Sequence, residues 1–156
     1  MSRHVARVHA FNLIFQFPFH SEWETSLLQE EIKHYMTDML NLRELLLSST
    51  PNTGERIFID KLVSGTFANL PQVDALIDKN LKNWERHRIA KIDLALLRLA
   101  IYEIKYASSR MDFAVIINEA IRMAKTYGTD ESAAFINGLL GEVIVEVLEE
   151  RVFEGG

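Results

Sequence analysis

Cysteine is absent from this chain. Its absence excludes disulfide bridges, thiolate nucleophiles and cysteine-ligated zinc, and it is compatible with a reducing, cytosolic compartment. There is no apolar run of about 18 residues, the length needed to cross a bilayer. The short apolar stretch near the N-terminus is interrupted by Asn12 and Gln16, so no signal-peptide core is expected there. These absences predict a cytoplasmic protein without membrane association. Proline occurs only at 18, 51 and 71; none lies inside a strongly periodic segment, so the prolines punctuate helices. The chain also lacks a convincing strand-like alternation. One further scarcity is local. Asp and Glu total 22 against 17 Lys and Arg, a formal charge of −5, yet the first carboxylate is Glu22.

The acid-free stretch carries Arg3, His4, Arg7 and His9. A cation in the first turn of a helix meets the positive end of the backbone dipole, unfavourable by roughly 0.3–1 kcal/mol. Its placement there asks for a reason other than helix stability. The net negative charge argues against a wholly basic nucleic-acid binder but leaves room for a positive patch on an acidic body.

With 156 residues, 48% of them hydrophobic and 25% charged, the chain fits one globular domain or two small subdomains sharing a core. Periodicity predicts a helix over 2–17, with His9, Asn12 and Gln16 on a polar side and Ala10, Phe11, Leu13 and Ile14 on an apolar one. A second helix is expected over 24–47, followed by a loop at 48–54. A third runs over 55–69 with Ile59, Leu62, Val63 and Phe67 as its stripe, and Pro71 starts a fourth with Val73, Leu76, Ile77 and Leu81. The segment IDLALLRLAIYEI, within a fifth helix over 89–106, is apolar around most of its circumference and predicts a central post. Arg98 in its middle then requires a carboxylate or carbonyl partner, for which Glu119 is the first candidate. Asp112 is expected to cap a sixth helix ending near Tyr127 and Gly128, and Thr129 a seventh carrying Ile136, Leu140, Val143 and Val147. The expected fold is an all-α helical bundle of about seven helices. It forms a single domain over 1–156, with subdomains at 1–82 and 83–156.

Catalytic and metal signatures are weak. Glu31 and His34 have the Glu-x-x-His spacing of a di-iron bundle, but such a site needs a second copy and two more inward glutamates, and no second copy occurs. There is no HExxH, phosphate-binding glycine loop or GxSxG elbow. No metal, cofactor or enzymatic activity is expected.

Three stretches carry a resemblance: RHVARVHAFNLIFQF at 3–17, NWERHRIAKIDLALLRLAIYEI at 83–104 and INEAIRMAKTYGTDESAAFINGLLGEV at 117–143. They place Trp84, Asp93, Leu97, Arg98, Asn118, Glu119, Lys125, Tyr127, Gly128, Phe135, Asn137 and Gly138 in an order that resembles the NusB family of transcription antitermination proteins. The resemblance implies an all-helical fold without catalysis. It further implies binding of single-stranded boxA-type RNA in ribosomal RNA leader transcripts, jointly with the small-subunit ribosomal protein that doubles as Nus factor E. The pair helps assemble an antitermination complex on RNA polymerase.

On that basis Arg3, His4 and Arg7 are candidate phosphate contacts. Arg3 and Arg7 fall within about 40° of each other around a helix, with His4 about 100° from Arg3. Lys125, Thr129, Ser132 and Phe135 are the candidate second RNA wall, the hydroxyls lying beside free N–H groups at a helix start. Phe135 either stacks a base or packs in the core. Asp130 and Glu131 oppose binding there by charge alone. For the protein partner the resemblance points to Phe15 and Asp93, whose alternatives are core packing and a helix-start acid suited to the dipole. Trp84, Arg98, Asn118, Glu119, Asn137 and Gly138 are assigned structural roles. Val5 and Ala134 stand where family members often carry basic residues, which implies weaker RNA binding alone and stronger dependence on the protein partner. Two competing functions are an interaction-only helical bundle and an RNA-binding accessory of a ribosomal RNA methyltransferase whose catalytic subunit is separate. A homodimer is left open.

Overall fold

The computed structural model describes residues 3–16, 30, 33–34, 53–107 and 109–155. Among them are six α-helices: α1 Arg3–Gln16, α2 Thr53–Ala68, α3 Leu70–Asn80, α4 Lys91–Tyr106, α5 Arg110–Tyr127 and α6 Asp130–Gly155. A 3-10 turn, Arg86–Arg88, precedes α4. No strand occurs among the described residues, as an all-α class requires. The helix expected over 24–47 lies outside the described residues except for Glu30, Lys33 and His34, which are helical and exposed. Glu31 of the Glu-x-x-His pair also lies outside them.

The chain divides into two compact units, Met1–Ala68 and Asn69–Gly156. In the first, α1 packs on α2. Ala6, Ala10, Phe11, Leu13 and Ile14 of α1 are buried, as are Ile59, Leu62 and Val63 of α2, each set at helical spacing. His9 departs from its expected polar face: it is 5% exposed and belongs to the interior of this unit. Thr66 is wholly buried, and its hydroxyl donates to the Leu62 carbonyl at 2.6 Å, the back-bond that lets a helical threonine enter a core.

In the second unit α4 is the post, packed by α3, α5 and α6. Leu96, Leu97, Leu99, Ile101 and Ile104 are at most 1% exposed, so burial surrounds the helix as its apolar circumference predicts. The boundary between units falls before α3, not after it at 82. The reason is packing: Val73 and Ile77 are buried, and α3 lies on α4 and α6. Asp74, between them, receives the Arg98 fork from α4, Nε to Oδ1 and Nη2 to Oδ2 both at 3.0 Å. Arg98 therefore pairs with Asp74, not Glu119.

Helix ends are closed by specific groups. Ser109, not Asp112, is the N-cap of α5. Its hydroxyl accepts from the Asp112 N–H while the Asp112 carboxylate accepts from the Ser109 N–H, a reciprocal capping box. Arg151 of α6 donates from Nη2 to the Ile104 and Lys105 carbonyls at 3.4 and 3.2 Å, at the last turn of α4. Its guanidinium also lies 5.4 Å from the Phe113 ring centroid.

Candidate nucleic-acid interface

The first surface is the start of α1. With no acid in its first turn, α1 presents Arg3 as an exposed side chain, with His4 and Val5 half-buried. Arg3 Cζ sits 3.9 Å from the ring centroid of Phe58, on α2. Arg7 Cζ stands over the same ring at 5.7 Å, yet Arg7 is only 9% exposed. Two residues expected to share one outward edge therefore differ: Arg3 faces outward and Arg7 lies largely inside. Phe58 carries no sequence signal for this role, because it flanks the Ile59–Leu62–Val63 stripe and reads as one more apolar residue. Phe15, near the other end of α1, is 42% exposed, its ring 6.1 Å from that of Phe11. Core packing does not account for it.

The second surface belongs to the other unit, at the junction of α5 and α6. Lys125 is exposed. Gly128 closes α5, and a Cβ there would stand 2.9 Å from both the Ala124 carbonyl oxygen and Ser132 Oγ, so the tight approach of the two helices requires glycine. Thr129 caps α6: its hydroxyl accepts from the Ser132 N–H at 3.0 Å, and the two hydroxyl oxygens are 3.1 Å apart. Ser132 is 8% exposed. Ser132 therefore does not present its hydroxyl outward as expected, and the Thr129 oxygen already serves the helix start.

One turn on, Phe135 is half-buried, its ring 5.3 Å from Trp84 and tilted 53°. Trp84 is 37% exposed and follows Asn83, whose φ of 67° turns the backbone in a way asparagine tolerates. The two rings line a groove of about 320 Å³ with Leu81, Lys82, Ala134, Gly138 and Leu139. A Cβ on Gly138 would meet nothing within 4 Å, and Asn118 and Asn137 are exposed. Gly138 is likewise exposed. Glu119 is half-buried and lies 3.8 Å from Arg122.

Asp93, in the first turn of α4, is 8% exposed, and its Oδ1 has no hydrogen-bond partner among the described residues. A favourable position in the helix dipole leaves that oxygen unexplained, because buried polar atoms ordinarily find partners. No group of three or more His, Asp or Glu among the described residues could hold a metal ion. No described helix is long and apolar enough to cross a membrane.

These features define an all-helical protein whose acidic chain carries a guanidinium-on-ring surface in one unit and an aromatic groove in the other. The NusB family model matches residues 4–145, and the chain belongs to the NusB family. It is 37% identical over 142 residues to the transcription antitermination protein NusB of Agathobacter rectalis, covering 91% of this chain and 98% of the relative. It is 36% identical over 144 residues to that of Acetivibrio thermocellus, covering 92% and 89%. Among solved structures, T. maritima NusB superposes with a TM-score of 0.72 at 28% identity, covering 94% of this chain and 92% of the other. A chain from a complex of antitermination factors NusB and NusE with double-stranded RNA shares the fold, with a TM-score of 0.70 at 20% identity over 94% and 99% of the two chains.

Proposed function

We propose that this protein is a non-enzymatic, cytoplasmic transcription antitermination factor. It binds boxA-type single-stranded RNA of ribosomal RNA leader transcripts together with the small-subunit ribosomal protein that doubles as Nus factor E. The pair joins an antitermination complex on RNA polymerase. The observation that carries this is the exposed Arg3 on an acid-free α1 of a chain with a net charge of −5. Family membership supplies the context, and a protein of the same fold has been solved with NusE and double-stranded RNA.

Arg3 draws phosphate and releases counterions. Arg7, largely buried, adds its charge to the local field. Lys125 supplies a second cation, and Asn137 can read a base edge or sugar oxygen. Phe135, braced by Trp84, offers a half-open ring for a splayed base. Thr129 and Ser132 act by shaping the helix start that carries these groups. Exposed Asp130 and Glu131 weaken non-specific attraction at that end, so contact there depends on shape and stacking more than on charge. For the ribosomal-protein partner, exposed Phe15 supplies an apolar anchor, and Asp93 Oδ1, which has no hydrogen-bond partner among the described residues, is an acceptor for it.

The test is titration of a boxA-type RNA and a scrambled RNA of equal length, with and without the partner. Preference for the boxA-type RNA, strengthened by the partner, is expected. Equal affinity for both RNAs under every condition contradicts the proposal, and partner binding without any effect on RNA favours an interaction-only bundle.

A further inference from the structure

We propose that Phe58 is a positioning residue for RNA: its ring holds the Arg3 guanidinium so that the in-plane N–H groups face phosphate. The inference rests on the RNA-binding function proposed above and adds a residue from α2 to a surface otherwise attributed to α1. The geometry is specific. Arg3 Cζ stands 3.9 Å from the Phe58 centroid, and Arg7 Cζ is 5.7 Å from the same ring. One half-buried aromatic thus gathers both arginines of the acid-free helix.

A guanidinium stacked on a ring engages the ring with its flat face, while its donors lie in its own plane and stay available for oxygen acceptors. An exposed arginine without such a platform samples many rotamers, and ordering them opposes binding. The ring removes part of that opposition before RNA arrives, and its π-electron density attracts both nearby guanidiniums. A lysine at position 3 would keep the charge but lose the planar stack and the forked donors. Phe58 is therefore more than a filler of the α1–α2 contact.

The experiment measures boxA-type RNA affinity over a salt series for wild type, Phe58→Leu, Phe58→Tyr, Arg3→Lys and Arg3→Ala, and for Phe58→Leu combined with Arg3→Ala. Far-UV circular dichroism and urea midpoints report folding. Phe58→Leu keeps apolar volume and removes the ring. It is expected to weaken binding about two- to five-fold, the scale of one exposed cation–π contact, whereas Phe58→Tyr restores wild-type affinity. Arg3→Lys, at an exposed site that cannot unfold the unit, is expected to match Phe58→Leu. In the Arg3→Ala background the Phe58→Leu effect should be much reduced, since the nearer arginine is gone and Arg7 stands farther from the ring and largely buried. In the free protein, the Arg3 δ-proton resonances should be shifted upfield by the ring and lose that shift in Phe58→Leu.

Wild-type affinity in Phe58→Leu or in Arg3→Lys overturns the inference while leaving the RNA-binding function standing. So does an undiminished Phe58→Leu effect in the Arg3→Ala background. Failure of the wild type to prefer boxA-type RNA overturns the function and the positioning role together.

Discussion

Arg98 and Asp74 form a forked ion pair between side chains only 15% and 11% exposed, with Arg86 a further 3.6 Å from Asp74 and 2.8 Å from Asp78. Breaking one side of such a pair leaves a poorly solvated charge. Arg98→Ala is expected to destabilise the second unit by about 3 kcal/mol in urea unfolding, at the low end for a buried pair because Arg86 still faces Asp74. The double change Arg98→Met with Asp74→Leu should recover most of that loss. The need for a partner was legible from a lone cation in an apolar helix. Its identity was not, because the pairing spans 24 residues and nothing local favours Asp74 over Glu119. The same limit separated Arg3 from Arg7: helical spacing puts them on one edge, while burial depends on where α2 lies. Arg3→Ala should shift the urea midpoint little, because loss of one exposed cation–π contact is offset by removal of a cation from the positive end of the helix, whereas Arg7→Ala should lower stability by roughly 1–3 kcal/mol, as loss of a buried, engaged side chain does. Tyr102 offers a pH test. Burial first, then the neighbouring Tyr106 and Glu103, raises its hydroxyl above the ordinary tyrosine value of about 10. The unfolded chain releases this proton before the folded one does, so the contribution is intact below about pH 10 and is lost as pH rises through the folded value. Stability should therefore fall more steeply above pH 10 in wild type than in Tyr102→Phe.

The helices themselves follow from apolar spacing, and Ile136, Leu140, Val143 and Val147 of α6 are buried as that spacing requires. Apolar spacing marks their ends less sharply. Asp112 looked like the cap of α5 because an acid before an apolar run suits an N-terminus, but it is the third helical residue of a capping box whose cap is Ser109. Ser109→Ala should cost about 1 kcal/mol. Two glycines of the resemblance separate structure from function. Gly128→Ala drives a Cβ to 2.9 Å from a carbonyl oxygen and should destabilise the chain by about 1–3 kcal/mol, the usual range for overpacking. Gly138→Ala meets open space, and the removal of a helical glycine should stabilise α6 by roughly 0.5–1 kcal/mol. If the groove beside Trp84 and Phe135 receives a base, the same substitution should weaken RNA binding while raising the urea midpoint.

At the scale of the whole molecule, charge is distributed against the average: a net −5 overall, with Arg3 and Arg7 on an α1 that holds no acid. The class of fold was legible in full, since nothing in the sequence competes with helical periodicity. The candidate surfaces were legible as segments but not as geometry. The family resemblance pointed to Arg3, Lys125 and Phe135, and no spacing rule singles them out. The Phe58 platform, the Trp84 brace and the outward Asn137 depend on packing between elements distant in sequence. Such a molecule cannot hold RNA by net attraction, so binding should combine a few phosphate contacts with stacking, and its salt slope should be shallow, near 0.7 per phosphate neutralised on a single strand, by order of magnitude. The most direct measurement is the affinity for boxA-type against scrambled RNA over a salt series, in the presence of the ribosomal-protein partner, for wild type and Arg3→Ala. A boxA preference is expected in wild type, and in Arg3→Ala weaker binding with a slope reduced by about one phosphate contact. Identical affinity and slope in the two proteins, or no preference between the RNAs, would contradict this reading.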